Sequence, residues 1–135
     1  MNRVEAREAI NQRWNLLWAA RTPFQFDNEQ FTPPDTGRWA RVSLRHTTSR
    51  QATLGPPGNR KFDRAVLVIV GLFDDVDEGM RNLDEDAQIA QGIFEGVSFD
   101  DLAFVGITPV REIGPDGAGK YQVNVEAQGF YQEVK

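Results

Sequence analysis

Apolar residues near the amino terminus recur at helical spacing. Ile10, Trp14, Leu17 and Trp18 share one face of a helix over residues 3–20, while Glu5, Arg7, Glu8, Gln12 and Arg13 fall largely elsewhere. Asn2 is placed to cap this helix, and Pro23 stops the pattern. The prolines of residues 22–34 forbid regular helix, so an extended segment is expected, with Phe24, Phe26 and Phe31 dipping into the core. The period then changes to two. Over residues 39–46, Ala40, Val42 and Leu44 point one way and Trp39, Arg41, Ser43 and Arg45 the other, which predicts a half-buried strand. Residues 47–60 offer almost nothing to bury, and Gly55-Pro56-Pro57-Gly58 is a turn signal, so a long mobile hairpin loop is expected.

The second half repeats the alternation of periods. Residues 60–73 are rich in Val and Ile and apolar on both faces near the centre, as a central strand requires. A second helix is expected over residues 78–95. Met80, Leu83, Ala87, Ala90 and Phe94 form its buried stripe, Ile89 and Ile93 widen it, and Gly96 closes it. Two further strands, 102–113 and 121–134, flank Gly114-Pro115-Asp116-Gly117-Ala118-Gly119, a hairpin turn by composition. The order is helix, extended segment, two strands, helix, two strands. It predicts an α+β fold in a single domain, residues 1–135, with two helices packed on one face of a four-stranded, mainly antiparallel sheet.

Composition narrows the chemistry. The 135 residues are 40% hydrophobic, enough for a core, and contain no Cys and one His, His46. Thiol catalysis, disulfide frameworks, cysteine-ligated zinc and multi-histidine metal sites are therefore excluded, and a non-enzymatic protein without a cofactor is expected. The longest apolar run, residues 65–73, is far too short to span a bilayer, and residues 1–6 carry no apolar export signal. Net charge is −5 and unevenly spread. Residues 1–64 hold 11 Lys and Arg against 6 Asp and Glu, whereas residues 65–135 hold 4 against 14. Two readings are open: a mixed surface, or one basic and one acidic face suited to head-to-tail packing of copies.

Four patterns invite specific chemistry. Gly114 through Lys120 matches the spacing of a phosphate loop. Tyr121, however, follows where Ser or Thr should hold Mg²⁺, and a strand pattern follows where a helix should begin. Asp74, Asp75, Asp77 and Glu78 could open a calcium loop with Gly79 sixth and Glu85 twelfth, but Val76 offers no oxygen at the third position. A solvated acidic turn or an acidic contact surface remains. His46 has Ser43 and Asp63 as conceivable hydrolytic partners, without any nucleophile-elbow sequence. Arg38, Arg41, Arg45, Arg50, Arg60, Lys61 and Arg64 form a basic stripe on the first hairpin. It fits a solvated edge, docking to acidic protein surfaces, or a small nucleic-acid-binding module with Trp39 as the stacking aromatic.

The helix carrying Trp14 and Trp18 leads into Thr22-Pro23-Phe24-Gln25-Phe26-Asp27-Asn28, then Phe31-Thr32-Pro33-Pro34 and Trp39-Ala40-Arg41-Val42. With the polar loop before Arg60, the Val/Ile strand before Gly79, the helix through Ala87, Ala90 and Phe94, and the closing Tyr121-Gln122-Val123-Asn124-Val125, nearly the whole chain resembles the tail terminator (minor tail, tail-completion) proteins of long-tailed bacteriophages. The resemblance implies a virion protein, assembled in the host cytoplasm. Such a protein forms a ring, typically a hexamer, on the end of the tail tube, stops tube polymerisation and meets the head-side connector. DNA passes through the lumen without being read, and no membrane is involved. A head–tail joining adaptor of the neck is the alternative. Contact residues expected on this reading are Arg41, Arg45, Arg50 and Arg60 on a basic hairpin that orders on docking, and Asp74, Asp75 and Asp77 at the acidic turn.

Overall fold

The computed structural model describes residues 1–135. The chain runs α1 (Arg3–Trp18), β1 (Phe24–Phe26), β2 (Trp39–Gln51), β3 (Lys61–Asp75), α2 (Arg81–Phe94), β4 (Ser98–Phe99), β5 (Leu102–Phe104), β6 (Val110–Pro115) and β7 (Lys120–Val134). The fold is α+β, with seven strands in one mixed sheet where four were expected. The strand order is β1-β2-β3-β7-β5-β4, with β6 also beside β7. Antiparallel β2, β3 and β7 are its long centre, and β1 adds to β2 in parallel.

Three departures account for the extra strands. The extended phenylalanine segment does more than dip inward, since Phe24, Gln25 and Phe26 pair with Ala40, Arg41 and Val42. The strand expected over 102–113 is broken into β5 and β6. Gly106 adopts φ 87°, and Pro109 has no N–H to give a ladder, so residues 105–109 cross the gap irregularly. A tight Asp100-Asp101 turn, both residues at positive φ, adds β4 antiparallel to β5.

Alternation along β3 sorts the two faces of the sheet. Val66, Val68, Val70 and Leu72 join Ile10, Trp14 and Trp18 of α1 and Leu83, Ala87 and Phe94 of α2 in one core cluster of 23 buried residues. Each fully buried large side chain there is worth roughly 1.5–3 kcal/mol. Trp14 stacks on Trp18 with ring centroids 4.5 Å apart and lies parallel to Phe94 at 6.5 Å. The helix ends follow from local chemistry. Asn2 caps α1 by accepting from the Glu5 amide, and Gly96, at φ 65°, follows the Glu95 cap of α2. Two stripe positions differ from expectation: Met80 is the cap preceding α2, and Ile89 is 37% exposed because it lies at the edge of the buried arc. On β7, Phe104 lies over Gly129, where an added Cβ would sit 2.8 Å from the ring. Only glycine admits that approach of β5 to the sheet.

Candidate functional site

The odd-numbered positions of β3 face away from both helices. At one end Trp39 stacks on Phe73 at 4.1 Å, with Phe31 beside it at 5.5 Å, so the third expected core phenylalanine covers this reverse face instead. Beyond that aromatic stack the reverse face opens. Register places Arg41, Ser43 and Arg45 of β2 beside Gly71, Ile69 and Leu67, and these beside Asn124, Glu126 and Gln128 of β7. A shallow depression of about 380 Å³ is floored by Ile69 and Gly71 and rimmed by Arg41, Arg45 and Asn124.

Asp27 shapes this rim. Its Oδ2 accepts from the Leu44 amide at 2.8 Å and from Arg7 at 3.0 Å, with Arg45 at 3.4 Å. Burial raises the Asp27 pKa, but the Leu44 amide, Arg7, Ser43 and Arg45 together outweigh it and hold the carboxyl below the usual carboxylate range. Arg41 has no carboxylate partner; its guanidinium lies 5.4 Å from the Phe73 ring centre. Two of the four expected basic contact residues, Arg41 and Arg45, thus meet on one surface.

The other two lie farther along the hairpin, which is more ordered than its composition implied. Residues 47–51 are strand, paired to β3 after a register shift between His46 and Ser49, so the turn proper is only residues 52–60. Threonine-rich polar sequence reads as loop because it has nothing to bury, yet β-branched residues suit an exposed strand with a neighbour to pair with. Arg50 donates to Asp63 Oδ2 at 2.8 Å, and Gln132 donates to Oδ1 at 3.0 Å. The Arg50 and Gln132 hydrogen bonds lower the Asp63 pKa. Arg60 stacks on Phe62 at 5.8 Å and donates Nε to the Lys135 carbonyl at 3.3 Å.

The expected acidic contact turn is rearranged by its own neighbours. Asp74 is buried, its Oδ1 accepting from the Asp75 amide and its Oδ2 without a partner. Asp75 accepts from Lys120 Nζ at 2.6 Å and from the Gly37 amide at 2.8 Å, while Lys120 Nζ also donates to the Gly37 carbonyl at 2.6 Å. Hydrogen bonds from Lys120, and then from Gly37, lower the Asp75 pKa. The Asp75 carboxylate, with Lys120, fastens the proline-rich segment to the sheet at Gly37. Of the three acidic contact residues, Asp77 alone stands exposed, at φ 66°.

The charge asymmetry of the sequence is partly folded back on itself. Asp86, almost fully buried on α2, accepts from Arg21 Nε at 2.6 Å and Arg38 Nη1 at 3.0 Å, and Arg64 pairs with Glu133 at 2.9 Å. These three pairs join the basic half to the acidic half, so Arg38 and Arg64 leave the expected stripe. Asp86 went unread although its spacing marks it. It lies three residues after Leu83 and four before Ala90, on the inward stripe. His46 contacts Tyr131, Nε2 to Oη at 3.0 Å, and neither Ser43 nor Asp63. Burial, then Arg3, Arg7 and Arg64, lowers the His46 pKa; burial, then Glu133, raises that of Tyr131. Gly114 through Lys120 is a turn in which Asp116 Oδ1 accepts from the Ala118 and Lys120 amides. No group of three or more His, Asp or Glu side chains is placed to hold a metal ion. No helix is long and apolar enough to cross a membrane.

No family model matches the sequence, and no curated protein matches it either. Solved structures do. One, of a protein without a descriptive name, is similar over 100% of this chain and 98% of its own, with TM-score 0.71 at 18% sequence identity. That likeness establishes a shared fold, extending from end to end in both chains.

Proposed function

We propose that this chain is a non-enzymatic assembly subunit of the tail terminator kind. Copies form a ring, hexameric on this reading, on the end of a phage tail tube. The ring halts tube growth and presents a surface to the head-side connector, while DNA passes through the lumen unread. One observation carries the proposal. Both helices are spent on one side of the sheet, leaving a reverse face where Arg41 and Arg45 lie across β3 from Asn124, Gln128 and Glu126, the last paired with Arg111 at 3.0 Å. A broad polar surface across three strands, with only a shallow depression in it, suits registry between proteins more than capture of a small molecule. The resemblance of the proline-aromatic segment to tail terminators supports the same reading. In that role Arg41, Arg45, Arg50, Arg60 and Asp77 are contact residues, and Asp74 and Asp75 hold the subunit in shape.

The test is tube length. Purified protein added to polymerising tail-tube subunits is expected to arrest growth and leave a ring at one tube end by negative-stain microscopy. Unchanged tube lengths overturn the proposal. Recovery on filled heads instead of isolated tails selects the neck-adaptor alternative.

A further inference from the structure

We infer that the tip of the β2–β3 hairpin of one copy docks on the β5–β6 edge of a second copy, making a head-to-tail contact. The inference rests on the ring reading above and adds which surfaces meet. The run from the end of β5 through β6 exposes several large apolar side chains. Ile107 is 85% exposed, Val105 55% and Ile113 52%, and Val110 is also open. Single exposed apolar residues are ordinary, but four within residues 105–113 are not. The irregular residues 105–109 leave this part of the edge without a regular strand.

The occupant is indicated by what the hairpin carries. Leu54, 91% exposed, is the most exposed large apolar side chain of the chain, and it sits in the turn of the hairpin. Charge matches as well. Residues 45–64 hold five basic side chains against one acidic, with Arg60 and Lys61 lacking a carboxylate partner in the chain, while residues 95–116 hold five acidic against one basic. Beside the β4–β5 turn, Glu5, Glu8, Asp100 and Asp101 line a depression of about 320 Å³ with no basic residue in its wall. The acidic turn at Asp74 and Asp75 is a poorer acceptor, because both carboxylates are already held within the subunit. Strand β7 separates the hairpin from β5 and β6, and Leu54 is open to solvent in its own chain, so the pairing joins two copies. Different surfaces meet, so the contact is heterologous and propagates until it closes into a ring.

A heterologous contact has a distinctive failure. A hairpin variant, Leu54→Asp with Arg60→Glu, keeps a sound edge; an edge variant, Val105→Asp with Ile107→Asp, keeps a sound hairpin. Analytical ultracentrifugation is expected to show wild-type assemblies larger than dimers, each variant alone as single chains, and an equimolar mixture stopping at twice the 15.2 kDa chain mass. Unchanged circular dichroism and melting temperature of each variant show that it is folded, as expected for substitutions at exposed Leu54, Val105 and Ile107 and at half-buried Arg60 on the surface. A variant that assembles like wild type, a mixture without heterodimer, or wild type that stays a single chain at every concentration overturns the inference. Assembly through this contact with unaltered tube growth leaves the contact standing and removes the terminator reading. Capping by both variants at wild-type strength does the reverse.

Discussion

The two faces of this sheet share their strands and almost nothing else. On the covered side every second β3 residue enters a core with two tryptophans at its centre, and the side chains there have no freedom to act on anything outside. On the reverse side the same strand offers Leu67 and Ile69, partly exposed, between arginines on one flank and a glutamate and amides on the other. The difference shows where stability and recognition reside. Substitutions on the covered side should unfold the subunit, and those on the open part of the reverse side, away from the Trp39–Phe73 stack, should leave it folded and change what it binds.

Trp14→Ala should have the largest effect. It removes a fully buried indole that stacks on Trp18, and a loss of about 3–5 kcal/mol in chemical denaturation is expected. Asp86→Ala comes next. It leaves Arg21 and Arg38 without their shared acceptor, and because both arginines are about 30% exposed the expected loss is about 2–3 kcal/mol, below that of a fully buried pair.

Asp75→Asn should act through pH. The Asp75 pKa is lower in the fold than in the unfolded chain, so its stabilisation is fully present above the unfolded value of about 3.9 and is lost as pH falls through the folded value. The Asn variant should therefore melt lower than wild type at pH 7 and lose less stability on acidification below about pH 4. Equal melting temperatures at pH 7 would remove Asp75 from the list of structural residues. The smallest stability change belongs to the reverse face. Arg41→Glu with Arg45→Glu should alter unfolding free energy by under about 1 kcal/mol, since only Arg45 has an ion pair and that arginine is 60% exposed. The same variant should lose tube capping. Capping at full strength would separate this face from the function.

Periodicity made the covered side legible. Helix α1 begins where Asn2 and the apolar spacing put it, and the alternation of Ala40, Val42 and Leu44 set the inward face of β2. The outward residues were harder to read. Trp39 was assigned to the outer face and is there, but its near-complete burial depends on Phe31 and Phe73, which are distant in sequence. Short strands escaped for a related reason. Three-residue β1 and the β4–β5 pair carry no measurable period and exist because a neighbour accepts their hydrogen bonds. The inward role of Asp75 has no local signal, because nothing in the turn itself reveals that Lys120, 45 residues away, will neutralise it.

The burial of Trp14, Trp18 and Trp39 separates two events optically. None of the three indoles lies on the hairpin turn or the β5–β6 edge. A red shift in intrinsic emission therefore reports loss of the folded subunit, while joining or parting of copies leaves the spectrum unmoved. Emission and sedimentation followed on one sample should thus distinguish a ring that comes apart from a chain that comes undone.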